Sequence, residues 1–449
     1  MEDNNLGVGR KQGSIGASKI LADRLYQFAR PILKHLTQQL DRRLVQTFFD
    51  LLITIIILRH RNQGLLLTEL GGQLMGMDRA PAGAKRISKL LHSKSWEAQL
   101  LDSWMWEQGD QKIEECLHPQ DDTYAIWDES EIEKSESLKA EQLCPVRSVK
   151  ARRLKRIKKG YYNPPGGKPI FVPGFHWFEV IVTGFKGAPC LAHFHWWTTR
   201  GEAASKMRDE EGSVLKQLAK RWGSMVIHVW DRGFAGEPWL VQAFEARVRF
   251  IVRWKKGNYL IDEHGERHKA SDISRRKRSV DHRMIYDCKR RCERKTGIVF
   301  FPVKLPNIPD HSLWMVVSRP GPGRQPWFLL TNEPINTVAD AWRIVLGYNR
   351  RWQIETGFRL DKSELAIESI RLIDWQSRQK LMLIIAVVHA FLLSLLNPSL
   401  EFIRTWLLHA WCHRTGKRNR SAAAPLYRLR LAISALWIAF RPLSLPRLN

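Results

Sequence analysis

Cysteine is scarce and scattered in this sequence of 449 residues. No two cysteines stand at the C-x-x-C spacing that zinc sites and redox pairs use, which argues against both and favours a reducing cytosol. Cys288 and Cys292 stand four residues apart, but no histidine pair of suitable spacing accompanies them, so we predict no metal site there. The six cysteines are Cys116, Cys144, Cys190, Cys288, Cys292 and Cys412.

The sequence also lacks an apolar run long enough to cross a bilayer. The longest run, residues 381–396, is shorter than the ~20 residues a spanning helix needs, and it contains His389. The N-terminal segment MEDNNLGVGRKQGS is polar and has no apolar core of a secretory signal. We therefore expect a cytoplasmic protein without a membrane partner, with residues 381–396 forming a buried helix.

Acidic residues are too few to balance the basic ones. Lys and Arg together number 72 against 45 Asp and Glu, a formal net charge of +27. This charge exceeds what solubility requires and suits a polyanionic partner, with nucleic acid as the leading candidate. The 19 Trp and 18 Phe residues indicate large cores or base-stacking surfaces, unlike short ribosomal or chromatin proteins. Charge alone predicts nucleic-acid binding but not cleavage.

The length predicts two to four domains, the first of them helical. Apolar residues recur at helical spacing from Leu21 to about Gln108, so we assign residues 1–120 to a helical region. Within it, two short helices joined by a turn are expected, the second from about Pro81 to His92. A DNA-reading helix and a solvated basic face on a packing helix both fit this pattern. The side chains expected to face inward are Ala84, Ile87 and Leu91, and those expected to face outward are Lys85, Arg86 and Lys89.

Beyond residue 121 the pattern changes to a mixed α/β fold. Three strand-like runs are followed by a helix, a strand, a helix and a strand, which predicts a mixed sheet covered by helices. Strand-like runs and Gly-Pro turns at 255–334 predict a β-rich insertion, after which one long helix is expected at about 337–362. The predicted catalytic domain is therefore 121–254 and 335–400, followed by a basic helical region at 401–449.

Two of the predicted strands are followed by an aspartate. The run TYAIWD ends in Asp128, and MVIHVWD ends in Asp231. In an open α/β sheet, side chains beyond the carboxyl ends of strands project into the crevice where sites form. A single Asp at such a place is commonly a strand stop or helix cap. Two in one sheet predict a functional site.

A third acid lies in the segment YNRRWQIETGFRLDK. If the segment is one continuous helix, five of its polar side chains fall on one stripe. Such a stripe fits a phosphodiester, because the acid would complete a metal site while its cationic neighbours hold phosphates. A row of surface ion pairs is the alternative, which the interleaved Trp352, Ile354 and Phe358 disfavour because they predict a buried opposite face. The stripe consists of Tyr348, Arg351, Glu355, Arg359 and Lys362.

Three carboxylates without a His/Cys cluster select a hard cation. Asp128, Asp231 and Glu355 are thus expected to bind Mg²⁺ or Mn²⁺. Two such ions about 3.5 to 4 Å apart can activate a water or 3′-hydroxyl and stabilise the leaving oxygen. The chemistry predicted from the residues is that of a nuclease or a strand transferase.

At these residues the sequence resembles the DDE transposases of bacterial insertion sequences, specifically the insertion-sequence-four family. Tyr348, Arg351, Glu355 and Lys362 fit its Y-(2)-R-(3)-E-(6)-K signature without a gap. DRGF after the second strand supports the match, and DESEIEK resembles the family's Asp-x-Thr/Ser-x-x-x-Lys. The resemblance covers roughly 121–365. Several glutamates crowd the first acid and leave Asp128 and Glu131 as alternatives, of which the predicted strand end favours Asp128.

The resemblance implies an RNase H-like catalytic domain with a β-rich insertion, located in the bacterial nucleoid. It further implies binding of the element's terminal inverted repeats, strand nicking, often through a hairpin, and strand transfer into target DNA by a synaptic homodimer. A Trp in the last insertion strand would stack on the displaced end base. Trp327 occupies the corresponding place, with Trp314 as a rival, and an ordinary core tryptophan is the alternative interpretation. A nuclease without strand transfer and an inactive DNA-binding relic remain alternatives.

A basic run at residues 146–159 has eight Lys or Arg and no acid. It follows soon after the first Asp and could grip DNA flanking the cut. A solvated loop fits the run as well, because blocks of like charge repel and stay open.

Overall fold

The computed structural model describes residues 2–58, 64–117, 121–134, 138–151, 168–287, 292–412 and 426–442. Most of the basic run, from residue 152 to 159, lies outside these ranges, as does Cys288.

Within the described residues the chain forms thirteen α-helices and twelve β-strands. The helices are α1 (Glu2–Gln39), α2 (Arg42–Ile57), α3 (Leu67–Met75), α4 (Ala80–His92), α5 (Gln99–Leu117), α6 (Met207–Trp222), α7 (Glu237–Glu245), α8 (Ala270–Arg275), α9 (Val338–Asn349), α10 (Trp352–Ser363), α11 (Trp375–Ser394), α12 (Glu401–Trp411) and α13 (Leu426–Ala439). The strands are β1 (Thr123–Glu133), β2 (Cys144–Arg147), β3 (Phe171–Gly184), β4 (Cys190–Trp197), β5 (Ile227–Trp230), β6 (Arg249–Arg253), β7 (Tyr259–Ile261), β8 (Arg267–Lys269), β9 (Asp281–Asp287), β10 (Cys292–Leu305), β11 (Ile308–Arg319) and β12 (Trp327–Thr331).

The strands form one mixed sheet, which confirms the predicted mixed α/β fold. Its order is β2-β3-β1-β5-β6-β12-β11-β10-β7-β8, with β4 paired to β3 and β9 paired to β10. The strands β1, β3 and β4 are antiparallel, whereas β5 and β6 run parallel to β1. Between residues 255 and 334 the antiparallel strand β12 pairs with β6, so the sheet continues from the α/β part into this segment.

Alternation along β1 divides the core between the two faces of the sheet. Tyr124 and Ile126 belong to the core that also contains α2 and α11, and Ala125 and Trp127 belong to the core shared with α6 and α7. Central strand β5 is buried along its whole length, which explains its mainly apolar sequence IHVW, and its buried His228 accepts a hydrogen bond from the Trp127 indole at 3.2 Å. Helices therefore cover both faces of the strands that carry Asp128 and Asp231.

The helices near the two ends of the chain share one core. Ser18 donates a hydrogen bond of 2.6 Å to the backbone carbonyl of Phe440, and Ser434 donates one of 2.7 Å to the carbonyl of Ile57. Apolar residues of α1, α2, α11 and α13 pack together in this bundle.

Helix α11 contains the longest apolar run and is buried, as the sequence predicts. Among the described residues it is the one helix long and apolar enough to cross a membrane. Because 89% of its apolar window is buried inside the protein, it has the character of a core helix.

The single helix expected at 337–362 is wrong, because the segment forms two helices. Thr337 and Asp340 build a capping box that starts α9. After Asn349 the chain tightens: the Arg350 N–H bonds to the Gly347 carbonyl and the Arg351 N–H to the Tyr348 carbonyl, each three residues back. Helix α10 then begins at Trp352, so Tyr348 and Glu355 lie on different helices.

Candidate active site

Asp128 and Asp231 come together through the parallel pairing of β1 and β5. The last parallel pair joins Ile126 to Val229, and each aspartate stands two residues further along its strand. Asp231 follows β5 directly, as predicted, and caps the short turn of 3₁₀-helix that comes next. The strand end expected at Asp128 is wrong, because β1 continues to Glu133 by antiparallel pairing with β3. Asp128 lies where the parallel pairing stops.

The turn after Asp231 is held by an arginine that the sequence did not single out. The Asp231 carboxylate accepts a hydrogen bond from the Gly233 N–H. Arg208, on α6, donates to the Gly233 carbonyl at 3.0 Å and lies over the Phe234 ring, 5.7 Å from its centroid. No local pattern connects α6 to this turn, so Arg208 carried no signal in the sequence.

Arg351 lies between the first aspartate and the glutamate. Its Nη1 is 2.9 Å from Asp128 Oδ2, and its Nη2 contacts Glu355 Oε1. The side chain of Arg351 is 13% exposed, that of Asp128 20% and that of Glu355 37%. The site is therefore open on the side of Glu355 and closed behind the arginine.

The electrostatics of this site favour a cation. Burial and the nearby charge of Asp231 raise the pKa of Asp128 to about 7, against the opposing effect of Arg351. Burial lowers the pKa of Arg351, but Tyr348, Asp128 and Glu355 raise it above its ordinary value overall. Crowded carboxylates that repel one another are the donor set that hard divalent ions neutralise, so these residues fit the expected metal.

A cavity of about 470 Å³ opens beside the acids. Arg253, Trp327, Tyr348, Arg351 and Glu355 are among its lining residues. The Trp327 ring meets the Tyr348 ring edge-on at 5.2 Å between centroids, and Tyr348 is buried. The cavity combines aromatic surface with arginines next to the carboxylates.

The two tryptophans considered for base stacking have different surroundings. Trp327, on β12, lines the cavity next to Glu355. Trp314, on β11, is not among the lining residues and packs on Phe300 with 6.2 Å between ring centroids.

Arg359 and Lys362, the other two residues of the predicted stripe, have different surroundings on α10. Lys362 lies with its Nζ 5.2 Å from the centre of the Trp177 ring, where burial lowers its pKa. Arg359 is exposed. The opposite face is buried at Ile354 and Phe358, but the expectation for Trp352 is wrong, since it is 47% exposed. The break before α10 is the reason: Trp352 begins the helix at the surface.

Lys134, the last residue of DESEIEK, ties β1 to the segment after α10. Its ammonium group donates to the backbone carbonyls of Glu368, at 2.6 Å, and Ile370. Burial lowers the pKa of Lys134 to about 7. The rival acid Glu131 acts electrostatically on Lys362, whereas Asp128 contacts Arg351. This arrangement favours Asp128 as the first acid.

Helix α4 presents two of its three expected cations to solvent. Lys85 and Lys89 are exposed, beside Arg42 and Arg43 of α2 in a shallow depression. The outward orientation predicted for Arg86 is wrong. Its guanidinium donates to Thr47 Oγ1 at 2.6 Å and to the Arg43 carbonyl at 3.1 Å, which fastens α4 to α2.

Comparison with known families matches residues 193–391 to the transposase DDE domain. This part of the chain is thus similar to the DDE domain of transposases. The matched span includes Asp231 and Glu355 and begins after Asp128. The match supports an enzyme of the class that breaks or transfers phosphodiester bonds.

A cryo-EM structure of a piggyBac transposase synaptic complex with hairpin DNA is also similar to this chain. The alignment covers 86% of this chain and 80% of the other, with 13% sequence identity and a TM-score of 0.36. A score of this size does not establish a common fold.

Proposed function

We propose that the protein is a DNA transposase that binds the terminal inverted repeats of an insertion sequence, cleaves them and transfers the strands into target DNA. The observation that carries this proposal is the convergence of Asp128, Asp231 and Glu355 around Arg351. The three acids come from β1, the end of β5 and α10, within and beside the DDE transposase domain.

Asp128, Asp231 and Glu355 would hold two Mg²⁺ or Mn²⁺ ions. These ions supply Lewis-acid activation of an attacking hydroxyl and charge stabilisation of the leaving oxygen. Arg351 supplies a positive charge already fixed between two of the acids, so it is placed to contact a phosphate that enters the site. The carboxylates provide only oxygen ligands, which is the donor set that both ions prefer.

The cavity beside Glu355 would receive the end of the cut strand. Trp327 and Tyr348 offer aromatic surface on which a displaced base can stack, and Arg253 adds positive charge at the wall. A hairpin intermediate needs such a place for the displaced base. Arg359 and Lys362 would contact phosphates further along α10. The surface that reads the element end would include Lys85, Arg86 and Lys89. Within it, Arg86 would hold α4 against α2 through its hydrogen bonds to α2.

We further place the protein in the insertion-sequence-four family with an RNase H-like catalytic domain. Support comes from the sheet, where the antiparallel strands β1 to β4 are continued by parallel strands β5 and β6 with helices on both faces. The proposed division keeps 1–120 as the end-binding region, 255–334 as an insertion and 401–449 as a basic helical region. A synaptic homodimer acting in the bacterial nucleoid completes the proposal.

The decisive experiment uses a linear duplex carrying the inverted repeats that flank the gene. Purified wild-type protein is incubated with this duplex and Mg²⁺ beside Glu355→Gln and, as a matched control on an exposed face of α5, Glu114→Gln. Expected are nicks or hairpins at the repeat boundary for wild type and control, and loss of cleavage with retained binding for Glu355→Gln.

Other outcomes separate the alternatives. Cleavage without joining to a target plasmid would identify a nuclease, and binding without cleavage by any variant would identify an inactive relic. Cleavage by Glu355→Gln at the wild-type rate would overturn the assigned acids.

A further inference from the structure

A second cluster of metal-ligand side chains lies inside the protein, apart from the three acids of the proposed active site. Glu179 on β3, Asp361 on α10 and His389 on α11 are buried, with exposed fractions of 0%, 1% and 0%. One ligand atom from each residue lies within 4.8 Å of the others. The cluster thus joins three elements at one buried point.

Most polar atoms of the cluster lack a hydrogen-bond partner among the described residues. These atoms are Glu179 Oε2, both carboxylate oxygens of Asp361 and both ring nitrogens of His389. Asp361 Oδ2 is only 3.1 Å from His389 Nδ1, yet the two are not oriented for a hydrogen bond. Buried polar groups are almost always paired, because each unpaired group loses its interaction with water. Five unpaired atoms facing one another point to a ligand between them.

The local charge is also unbalanced. Burial, followed by the charge of Asp361 and the hydrogen bond that a protonated carboxyl group can make with it, raises the pKa of Glu179 well above its ordinary value. Trp177 donates one hydrogen bond of 3.2 Å to Glu179 Oε1. The ammonium group of Lys362 acts on Glu179 from a distance but lies over the Trp177 ring. Within the described part of the chain, two buried carboxylates therefore face one imidazole without a cation in contact.

At Gly357, helix α10 lies close to Glu179 on β3 and to His389 on α11. A Cβ at Gly357 would lie 3.0 Å from His389 Cε1 and 3.1 Å from Glu179 Oε2. A side chain at position 357 would crowd both groups, so the glycine lets helix α10 pack close to β3 and α11. This approach brings Asp361 to the other two ligands.

We propose that Glu179, Asp361 and His389 bind a divalent transition-metal ion, of which Zn²⁺ is the best probe. Two carboxylate oxygens and an imidazole nitrogen are ligands of Zn²⁺, and the imidazole disfavours Mg²⁺. In tetrahedral coordination with bonds of about 2.0 Å, ligand atoms lie a little over 3 Å apart, close to the Asp361–His389 separation.

The ion would have a structural role, because it would fix the relative positions of three elements. Asp361 follows Glu355 on α10, and Glu179 is the register partner of Asp128 across β1 and β3. A metal bound here ties the helix of the third acid to the strand beside the first acid and to core helix α11. The site does not depend on the proposed transposition chemistry.

The test measures metal content and a metal spectrum in the full-length protein. Wild type, Asp361→Asn and His389→Gln are purified from zinc-supplemented medium without chelators, with Glu355→Gln as the matched control on the same helix. About one tightly held zinc per chain is expected for wild type and Glu355→Gln, and its loss for the other two. Replacement by Co²⁺ should give visible absorption bands of a four- or five-coordinate site in the first pair only.

Wild-type results decide the matter even if the cluster variants fail to fold. Wild type without bound zinc, without a Co²⁺ spectrum and with the same melting temperature after chelation would overturn the proposal. A proton shared between the carboxyl groups of Glu179 and Asp361 would then replace the ion. Zinc lost from Glu355→Gln but kept by Asp361→Asn would also overturn it, because the ion would belong to the active site. Failure of DNA cleavage with zinc retained would refute only the proposed function.

Discussion

Arg351 joins two of the three acids of the proposed active site. Its guanidinium contacts Asp128 and Glu355, which are otherwise joined by no hydrogen bond of the described structure. A planar guanidinium can satisfy two carboxylates at once, which a lysine ammonium does less well. Arg351 therefore fixes the positions of Asp128 and Glu355, two of the three proposed metal ligands, relative to each other.

Replacing Arg351 by alanine should destabilise the protein and abolish cleavage. Two partly buried carboxylates lose their cation, so we expect a decrease of about 1–3 kcal/mol in the free energy of unfolding. Mg²⁺ should restore more stability to Arg351→Ala than to wild type, because the ions neutralise the same acids. Urea unfolding with and without Mg²⁺ checks this. Arg359→Ala, an exposed neighbour on α10, is the control, and an equal effect in both variants would contradict the role of Arg351.

His176 predicts a pH dependence of stability. Burial lowers its pKa, but the neighbouring Cys144 and Glu129 side chains outweigh this effect and raise it to about 9, and Nδ1 lies 3.2 Å from Glu129 Oε1. Because the folded state binds the proton more tightly than the unfolded chain, the stabilisation is complete below about pH 6.5 and is lost as pH rises through about 9.

The expected loss in wild type over this range is on the order of 1–3 kcal/mol, and His176→Gln should remove it. Urea unfolding at about pH 6 and about pH 9.5 measures the difference. His264→Gln changes an exposed histidine with a side chain 76% accessible and should keep the wild-type slope. Identical slopes in all three proteins would refute the assignment to His176.

The sequence was enough to propose three candidate acids but not the residues that support them. Asp231 directly follows an apolar strand, and the spacing around Glu355 is a local pattern. Both residues can therefore be singled out from the sequence alone. The partners of Arg208 and Lys134 are not, because Gly233 and the carbonyls of Glu368 and Ile370 are distant in sequence. Such contacts exist only after the chain has folded.

Among the secondary-structure elements, α3 and α4 show how two glycines permit a helix crossing. A Cβ at Gly83 would lie 2.3 Å from the Gly71 carbonyl oxygen and 2.6 Å from Gly71 Cα. The backbones of the two helices therefore touch, and α4 is held at a fixed angle with Lys85 and Lys89 exposed.

Gly83→Ala should destabilise the protein although alanine favours helices. The gain in helix propensity of about 1 kcal/mol is outweighed by the backbone clash, giving a net loss of about 1–3 kcal/mol. Gly16→Ala in α1 is the control, since no described atom lies within 4 Å of the added Cβ, and it should be neutral or slightly stabilising. Thermal unfolding compares the two, and a stabilised Gly83→Ala would show that the helices do not touch as described.

The periodic pattern predicted the order of elements better than their ends. The helix, strand, helix and strand that follow the first strands were predicted correctly, as was the second helix of the pair near residues 80–92, but the short strand β2 was missed, so four strands stand where three were expected. The break before α10 was missed because YNRRWQ has no proline or glycine at the break and favours a continuous helix. The extension of β1 past Asp128 was missed because its polar residues are stabilised by pairing with β3.

For the molecule as a whole, the formal charge of +27 predicts strong dependence of DNA binding on salt. Each Lys or Arg that neutralises a phosphate contributes about 0.9 to the slope of log affinity against log salt. Lys85→Gln combined with Lys89→Gln should therefore reduce this slope by about 2 on end DNA.

A matched pair on another surface controls for the change in net charge. Lys216 and Lys220 are exposed at the same spacing on α6, so Lys216→Gln with Lys220→Gln should leave the slope nearer to wild type. Fluorescence anisotropy over a salt series measures both. Equal reductions in the two double variants would mean that α4 has no special part in binding DNA.

The arrangement of the chain ends could not be predicted. Ser18 and Phe440 are 422 residues apart, and the helices around them have ordinary amphipathic sequences without a signal for their partner. Their packing depends on shape and on the burial of α11 between them.

The packing of α13 against α1 and α2 limits when the helical bundle can form during synthesis of the chain. Arg351 emerges from the ribosome 223 residues after its partner Asp128, which at about 5–20 residues per second means tens of seconds of synthesis. The partners of α1 and α2 on α13 emerge later still. A nascent chain that has not reached these residues consequently lacks the contacts of Arg351 with Asp128 and Glu355 and the packing of α13 against α1 and α2.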